Sequence, residues 1–280
     1  MAKIKYKIYS QYGALNSPPV FQALAEGIRA SGGEVVESGE DIPVIWSVLW
    51  HGRMLGNRSV YEMAQSQGKK VMVVEVGTLI RGKTWRISFD HINRLGYFGN
   101  NESLDHLRPK KLGVFLEAPI RTRRPEILIA CQHEKSLQWK DMPPTSQWVE
   151  HQISKIREYS DRKIIVRAHP RSPLKRIPPG CNYEQPQMVP NTYDDFDFKL
   201  NYHCIVNHNS GVGVHAGISS IPVIVDSSSL AFDISHDFKD IESLHEKNRS
   251  EWFLKICHTE WLIEEIREGI PLKRLMVDFQ

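Results

Sequence analysis

The segment Cys204–Asp226 (CIVNHNSGVGVHAGISSIPVIVD) constrains this chain more than any other. Ile205 and Val206 read as a buried strand that ends in the polar turn Asn207-His208-Asn209-Ser210. Gly211 and Gly213 then open a short helix-compatible stretch through Gly217, and Ile221 to Val225 reads as a second apolar strand. Strand, glycine turn, helix and strand together form a unit that can hold phosphate. Glycine lets the backbone come close, and a helix N-terminus offers unpaired N–H groups and a partial positive charge.

Gly211-Val212-Gly213-Val214-His215-Ala216 also fits the G-x-G-x-x-A dinucleotide fingerprint. That fingerprint expects a βαβ unit of ~30 residues and an acid ~20 positions beyond the glycines. Here the second strand starts sooner and its acid, Asp226, comes early, in a unit late in the chain. These departures weigh against NAD. A tight turn whose glycines serve only helix–strand packing stays open as the bland alternative.

A second segment shifts the balance toward a ligand site. Lys163–Arg171 (KIIVRAHPR) is a strand, Ile164 to Val166, running into Arg167-Ala168-His169-Pro170-Arg171. A histidine and two arginines thus stand at the C-terminal end of a strand, where open α/β sheets bind ligands. Pro170 stops the strand and restricts the backbone beside His169.

A strand followed by His-Pro, then a strand, a Ser/Asn–Gly turn, a short helix and Gly–x–x–x–x–Pro–Val resembles the C-terminal half of GT-B-type glycosyltransferases. The patterns are similar to those of bacterial sialyltransferases, capsule-lipid sugar transferases and glycerol-phosphate polymerases, and the match covers about residues 125–226. The resemblance implies that His169, Ser210, Gly211 and Gly213 hold the donor phosphate. It departs from the family in one place, where Asn209-Ser210 stands for the usual paired Ser/Thr. In the N-terminal half, Trp46 to Asn57, Lys69 to Gly77 and Ile87 to Gly99, with Glu126 to Trp139 further on, resemble uncharacterised bacteriophage proteins associated with glycosyl transfer to modified DNA bases.

The 280 residues suit one large domain or two ordinary ones. Strands at Ile4–Tyr9, Val44–Ser47 and Val71–Glu75 alternate with helices at Pro18–Ala30 and Asn57–Gln67. After the basic stretch Arg121–Pro125, a second set follows: strand Ile127–Cys131, helix Thr145–Tyr159, then strands at Ile164, Ile205 and Pro222. The expected fold is α/β, with two Rossmann-like domains facing a cleft in the GT-B manner. Residues 1–120 form the acceptor-side domain, 125–249 the nucleotide-sugar domain, and 250–280 a closing helix with an amphipathic stripe.

Net charge is only +3, so no global drive toward nucleic acid exists. Lys110, Lys111, Arg121, Arg123 and Arg124 are local candidates for an acidic acceptor or double-stranded DNA, although a basic run is commonly a solvated linker. The four cysteines are far apart without C-x-x-C pairing, so no metal is expected and reduced, cytoplasmic thiols are (host cytoplasm for a phage protein). No apolar run spans a bilayer.

Transfer from a nucleotide sugar needs the leaving phosphate stabilised, the acceptor hydroxyl activated and water excluded. His169, Arg171 and the 211–213 backbone are candidates for the first task, with Gln132 and Lys135 as sugar or phosphate contacts. Glu75, at a strand end before Gly77, is the candidate general base, with His51 and Asp90 behind it. A salt-bridged strand-end role for Glu75, with Arg81 or Arg86, is the structural alternative. Asp226 reads as a cap or a donor-ribose contact. No permanently bound cofactor is expected, only a UDP- or CMP-type nucleotide sugar as co-substrate. Rival readings are a capsule or cell-surface glycan transferase, a nucleotide-sugar epimerase, a polyol-phosphate transferase and a non-catalytic nucleotide- or DNA-binding module.

Overall fold

The structure, a computed structural model, describes residues 3–119, 123–186 and 202–276. It is α/β and divides into two compact units, each built on one parallel-rich sheet.

The first unit comprises the described residues of Met1–Val114, Lys135–Gln138 and Leu254–Gln280. Its strands are β1 (Lys5–Ile8), β2 (Glu34–Val35), β3 (Ile42–Trp46), β4 (Met72–Val76) and β5 (Thr84–Phe89), with helices α1 (Pro18–Ala30), α2 (Gly56–Ser66) and α3 (Arg108–Leu112). The second unit, Phe115–Glu134 and Trp139–Phe253, holds β6 (Ile127–Ala130), α4 (Thr145–Arg157), β7 (Ile164–Arg167), β8 (Asn182–Glu184), β9 (Cys204–Asn207), α5 (Gly211–Ile218) and β10 (Val223–Val225). The chain returns to the first unit within α6 (Ser250–Cys257) and ends, among the described residues, with β11 (Glu260–Leu262), α7 (Ile263–Arg267) and α8 (Ile270–Leu275).

The first sheet runs β11-β5-β4-β3-β1-β2, with β4, β3, β1 and β2 parallel and β5 antiparallel to both β4 and β11. Its central strands are apolar on both faces. Val44, Trp46, Met72 and Val74 pack with Phe21, Leu24 and Ile28 of α1, whereas Ile45, Val71 and Val73 pack with Val60, Tyr61 and Ala64 of α2. Continuous apolar strands of this kind require cover on both sides, which the helices supply.

The second sheet runs β10-β9-β6-β7-β8 and is parallel throughout. From β6 the chain crosses through α4 to β7 on one side, and from β9 through α5 to β10 on the other. Right-handed crossovers in opposite directions put α4 and α5 on opposite faces. The chain therefore reverses direction between the neighbours β6 and β9, which makes their C-terminal ends the switch point of the sheet.

The structure differs from the sequence reading at the C-terminal segment. The stripe over 250–268 does not form one helix: α6 stops at Cys257, and Glu260–Leu262 leaves it to pair with β5. The cause is the side chain of Glu260, which is fully buried. Its carboxylate accepts Thr78 N–H at 2.6 Å, Leu79 N–H at 2.8 Å and Thr84 Oγ1–H at 2.9 Å, and pairs with Arg86 Nη2 at 2.7 Å. Four charge-assisted bonds in a dry site outweigh local helix preference. This terminal segment belongs with the first unit, and so does Lys135–Gln138, where Lys135 O accepts Trp50 N–H at 3.0 Å and Leu137 N–H bonds Val48 O at 2.9 Å; the division differs from the boundaries expected at 120, 125 and 250.

Candidate functional site

The switch point of the second sheet is built from amide side chains. Asn207, the last residue of β9, donates from Nδ2 to Ala130 O on β6 at 3.0 Å and to Ser210 Oγ at 2.9 Å. Gln132, two residues past β6, accepts Asn209 N–H on Oε1 at 3.2 Å, and Asn209 Nδ2 reaches Ser228 Oγ at 2.8 Å. These bonds tie the turn after β9 to its neighbours on both sides. Oδ1 of Asn207 and of Asn209 are buried acceptors with no hydrogen-bond partner among the described residues. Most buried polar atoms in folded chains are satisfied, and two unsatisfied acceptors within one turn at a strand switch point suit a ligand's donors, although other buried side chains here, Asn57 and Tyr202 among them, also carry such atoms.

Ser210 is the N-cap of α5, in extended conformation, but its Oγ does not cap the helix. The first intrahelical donor is Gly213 N–H, to Ser210 O at 3.2 Å. A side chain at Gly213 would press on Val225 Cγ1 at 3.2 Å, so this glycine serves close packing of α5 on β10. The bland reading thus accounts for part of the motif, whereas the Ser210–Gly211 turn retains the anion-favouring end of a helix.

His169 stands past β7 in a tight turn closed by Ser172 N–H to His169 O at 3.0 Å. Its Nδ1 accepts Arg171 N–H at 3.1 Å. With Nδ1 an acceptor, the neutral ring carries its proton on Nε2, as a donor. His133, after β6, sits edge-on to it with ring centroids 5.3 Å apart. Arg171 itself is exposed. Glu134 accepts Thr145 N–H at 2.7 Å and so caps α4; burial pushes its carboxyl up, but that bond and nearby cations hold it below the usual range.

Beside the switch point lies a cavity of about 440 Å³, between α4 and the C-terminal ends of β9 and β10. Trp148, Gln152 and Lys155 of α4 line it, with Ile224, Phe238 and Asp226. Asp226 Oδ1 accepts both Ser228 N–H at 2.9 Å and Ser228 Oγ–H at 2.6 Å. Burial raises the Asp226 carboxyl, and these bonds with His208 nearby more than offset it, leaving it below its ordinary value.

In the first unit, Glu75 lies at the C-terminal end of β4. Ser47, just past β3 at φ +64, donates its hydroxyl to Glu75 Oε2 at 2.5 Å. Desolvation lifts the Glu75 carboxyl above the usual range despite this bond, Val76 N–H and the charges of Arg86 and Arg81. Arg86, weighed above as its ion-pair partner, is paired with Glu260. His51 and Lys135 come together, with Nζ 3.3 Å from Nδ1. Lys135 therefore belongs to the first unit and Gln132 to the second. Asp90, at φ +65 past β5, lies at the opposite end of the sheet from Glu75 because β5 runs antiparallel to β4. Its carboxylate holds Val71 N–H at 2.9 Å, Gln65 Nε2 at 3.0 Å and Lys70 at 3.0 Å, which is a turn-fastening role.

The basic residues are divided between the two units. Lys110 and Lys111 belong to the first unit, where Lys111 pairs with Asp105 at 2.6 Å. Arg123 and Arg124 belong to the second, where Arg124 pairs with Glu126 at 3.2 Å. Arg121 lies outside the described residues. Sequence reasoning missed Ser47, Asn207 and the α4 face of the cavity. Trp148, Gln152 and Lys155 at helical spacing do carry a signal, since one face mixes an aromatic with polar groups. Among the described residues no His, Cys, Asp and Glu cluster could hold a metal ion, and no helix is long and apolar enough to cross a membrane.

No protein-family model and no curated protein matches this sequence. Solved structures do. The β-Kdo 2,4-transferase of KpsC from Thermosulfurimonas dismutans aligns with TM-score 0.50 and 12% identity, over 91% of this chain and 90% of that one. The β-Kdo 2,7-transferase of the same organism's KpsC aligns with TM-score 0.49 and 14% identity, over 97% and 100%. At such identity the likeness is one of fold: this chain has a two-sheet α/β fold of the kind found in a known glycosyltransferase.

Proposed function

We propose that this protein is a glycosyltransferase of GT-B type that moves a sugar from a nucleotide-sugar donor to an acceptor hydroxyl. The observation that carries the reading is the β6/β9 switch point, where Gln132, Asn209 and the Ser210–Gly211 turn meet at the start of α5. Open parallel sheets bind nucleotides at such a point, with phosphate at the helix N-terminus. The donor diphosphate or monophosphate rests on the α5 turn, and His169 Nε2–H donates to the leaving phosphate oxygen. The two orphan amide oxygens, Asn207 Oδ1 and Asn209 Oδ1, accept from sugar hydroxyls. Glu75 is the proposed general base. Its raised affinity for a proton brings it nearer to neutrality, where a base is most effective.

For the acceptor, a hydroxyl of a surface glycan is favoured over a hydroxylated DNA base. A Kdo transferase shares the fold, and two of the candidate DNA-binding cations, Lys111 and Arg124, pair with Asp105 and Glu126. The test is nucleotide release from a panel of UDP-, CMP-, GDP- and dTDP-sugars, with His169→Ala and Glu75→Gln as variants. Release from one donor class, reduced ~100-fold or more in either variant, supports the reading. Binding of NAD alone, with no release from any donor, would overturn it.

A further inference from the structure

The second unit gathers cations at a place that neither the phosphate turn nor the cavity beside it uses. We propose that Arg123, His236, His245 and Lys247, none of which lines that cavity, form a second site that takes a tetrahedral oxyanion, a phosphate group above all. The assignment does not rest on the transferase reading, because the binding it describes involves no sugar donor.

The backbone places the central imidazole. After β10 the chain returns along the outer edge of that strand, where Ser235 pairs with Val223 and its Oγ accepts Val225 N–H at 3.0 Å. His236 N–H bonds Val223 O at 2.8 Å, and the ring is left 6% exposed. Its Nδ1 is buried with no hydrogen-bond partner among the described residues, and so is Nε of Arg123. A buried donor without an acceptor costs stability, which a ligand can restore. The surroundings decide the sign of that ligand. His245 stands edge-on to His236 with ring centroids 5.1 Å apart, and Lys247 is fixed close by through a bond from Nζ to Ser235 O. Burial comes first in depressing the His236 imidazole, followed by Lys247, His245 and Arg123, with Asp240 alone opposing them. A metal cation would meet the charges of Lys247 and Arg123, and among the described residues no group of three His, Cys, Asp or Glu side chains could hold one. An oxyanion instead supplies acceptors for Nδ1–H of His236 and Nε–H of Arg123, and a charge opposite to that of Lys247. Such an anion also favours the imidazolium. The neutral ring of the free protein therefore takes up a proton on binding, and affinity rises as pH falls.

Calorimetric titration of the full chain with sulfate, whose charge does not change with pH in this range, tests this at constant ionic strength. Sulfate should bind ~3-fold or more tighter at about pH 5.5 than at about pH 7.5. In nitrogen NMR the His236 imidazole, at about 4 in the free protein, should titrate at higher pH when sulfate is present. Lys247→Met and Arg123→Met should weaken sulfate at both pH values, whereas His169→Ala should leave it unchanged. Sulfate binding that is lost in His169→Ala and kept in Lys247→Met belongs to the phosphate turn and overturns the assignment. So does an imidazole whose titration sulfate does not move, a reading that needs no variant and is not protected by a misfolded one. Inorganic phosphate and a phosphate monoester, titrated in the same way, separate the two sources of the group. Tighter binding of the ester, still weakened by Lys247→Met, marks the phosphate of a larger ligand, and equal binding marks the free anion.

Discussion

Gln132 Oε1 accepts the backbone N–H of Asn209 at 3.2 Å, and through this bond the loop after β6 sets the turn after β9. Both residues are buried, so the N–H has no water to turn to when the amide is removed. Gln132→Leu should cost about 1–3 kcal/mol of stability, read by urea denaturation. It should also weaken nucleotide binding in titration, because the turn that carries Ser210 loses its register. Weaker binding without loss of stability would instead make Gln132 a direct contact.

Ser47 and Glu75 form the corresponding pair in the first unit. Ser47 also accepts Leu49 N–H at 3.0 Å, so its hydroxyl hydrogen is directed at the carboxylate. That bond stabilises the ionised form, against the desolvation that raises Glu75. Removing it in Ser47→Ala lifts the carboxyl further. A base works only when deprotonated, so the ascending limb of the pH–rate profile should move to higher pH in Ser47→Ala and vanish in Glu75→Gln. The stability effect has the opposite sense. The native state holds this proton more tightly than the unfolded chain, so Glu75 contributes stability at low pH that is lost as pH rises through its raised value. Glu75→Gln should flatten that part of the stability–pH curve.

His236 supplies an acid-sensitive element in the second unit. Burial, with Lys247, His245 and Arg123 nearby, depresses it from its ordinary 6.5 to about 4. The unfolded chain takes up the proton first, so stability is present above pH 6.5 and falls as pH drops through that window. A shift of this size corresponds to about 3 kcal/mol. Melting curves at pH 7, 5.5 and 4.5 (chosen to span about the range over which an ordinary His titrates) should show a steeper loss in the native chain than in His236→Asn.

The Arg86–Glu260 pair holds β11 against β5 and fastens the turn after β4, where Gly77 leaves room for Thr84 O and Glu260 Oε2. Neutralising one partner leaves a buried charge uncompensated, which costs about 3–5 kcal/mol. Glu260→Gln should therefore destabilise far more than any surface exchange. Replacing both with apolar residues of similar size should recover part of the loss. Equal stability of Glu260→Gln and the native chain in urea would show that the backbone pairing alone holds β11.

Gly217 and Gly213 separate packing from ligand approach. A methyl group at Gly217 would run into Ile234 Cδ1 and Trp252 Cη2, and Trp252 is held by its Nε1–H to Leu230 O at 2.8 Å. Gly217→Ala should cost about 1–3 kcal/mol by overpacking. At Gly213 the nearest atom is Val225 Cγ1 at 3.2 Å, a contact a side chain can relieve. Gly213→Ala should thus stay within about 1 kcal/mol of native, with helix propensity on its side. A folded Gly213→Ala that no longer binds nucleotide would assign that glycine to phosphate approach.

The strands and helices with strong local patterns were legible from residues alone. Pro18–Ala30 stands where the proline and the apolar spacing put it, and β6, β7 and β9 lie within a residue or two of the apolar runs that announced them. Local propensity and burial agree there. The His-Pro and Asn-Ser-Gly turns could also be set at strand ends, because proline and glycine end strands by their own geometry. What the tertiary structure decided were the features that depend on partners distant in sequence. Glu260 draws a helical stripe into a strand through donors some 180 residues away, near Thr78. Asp90, a candidate base by composition, becomes a turn fastener because β5 runs antiparallel to β4. Gln132 and Asn209 meet only because β6 and β9 are neighbours, and strand order is not written in either segment. A local pattern determines which elements form and what chemistry they carry. Which carboxylate is desolvated, which amide lacks a partner and which wall a cavity acquires depend on pairing across the chain, where buried electrostatics outweigh local preference.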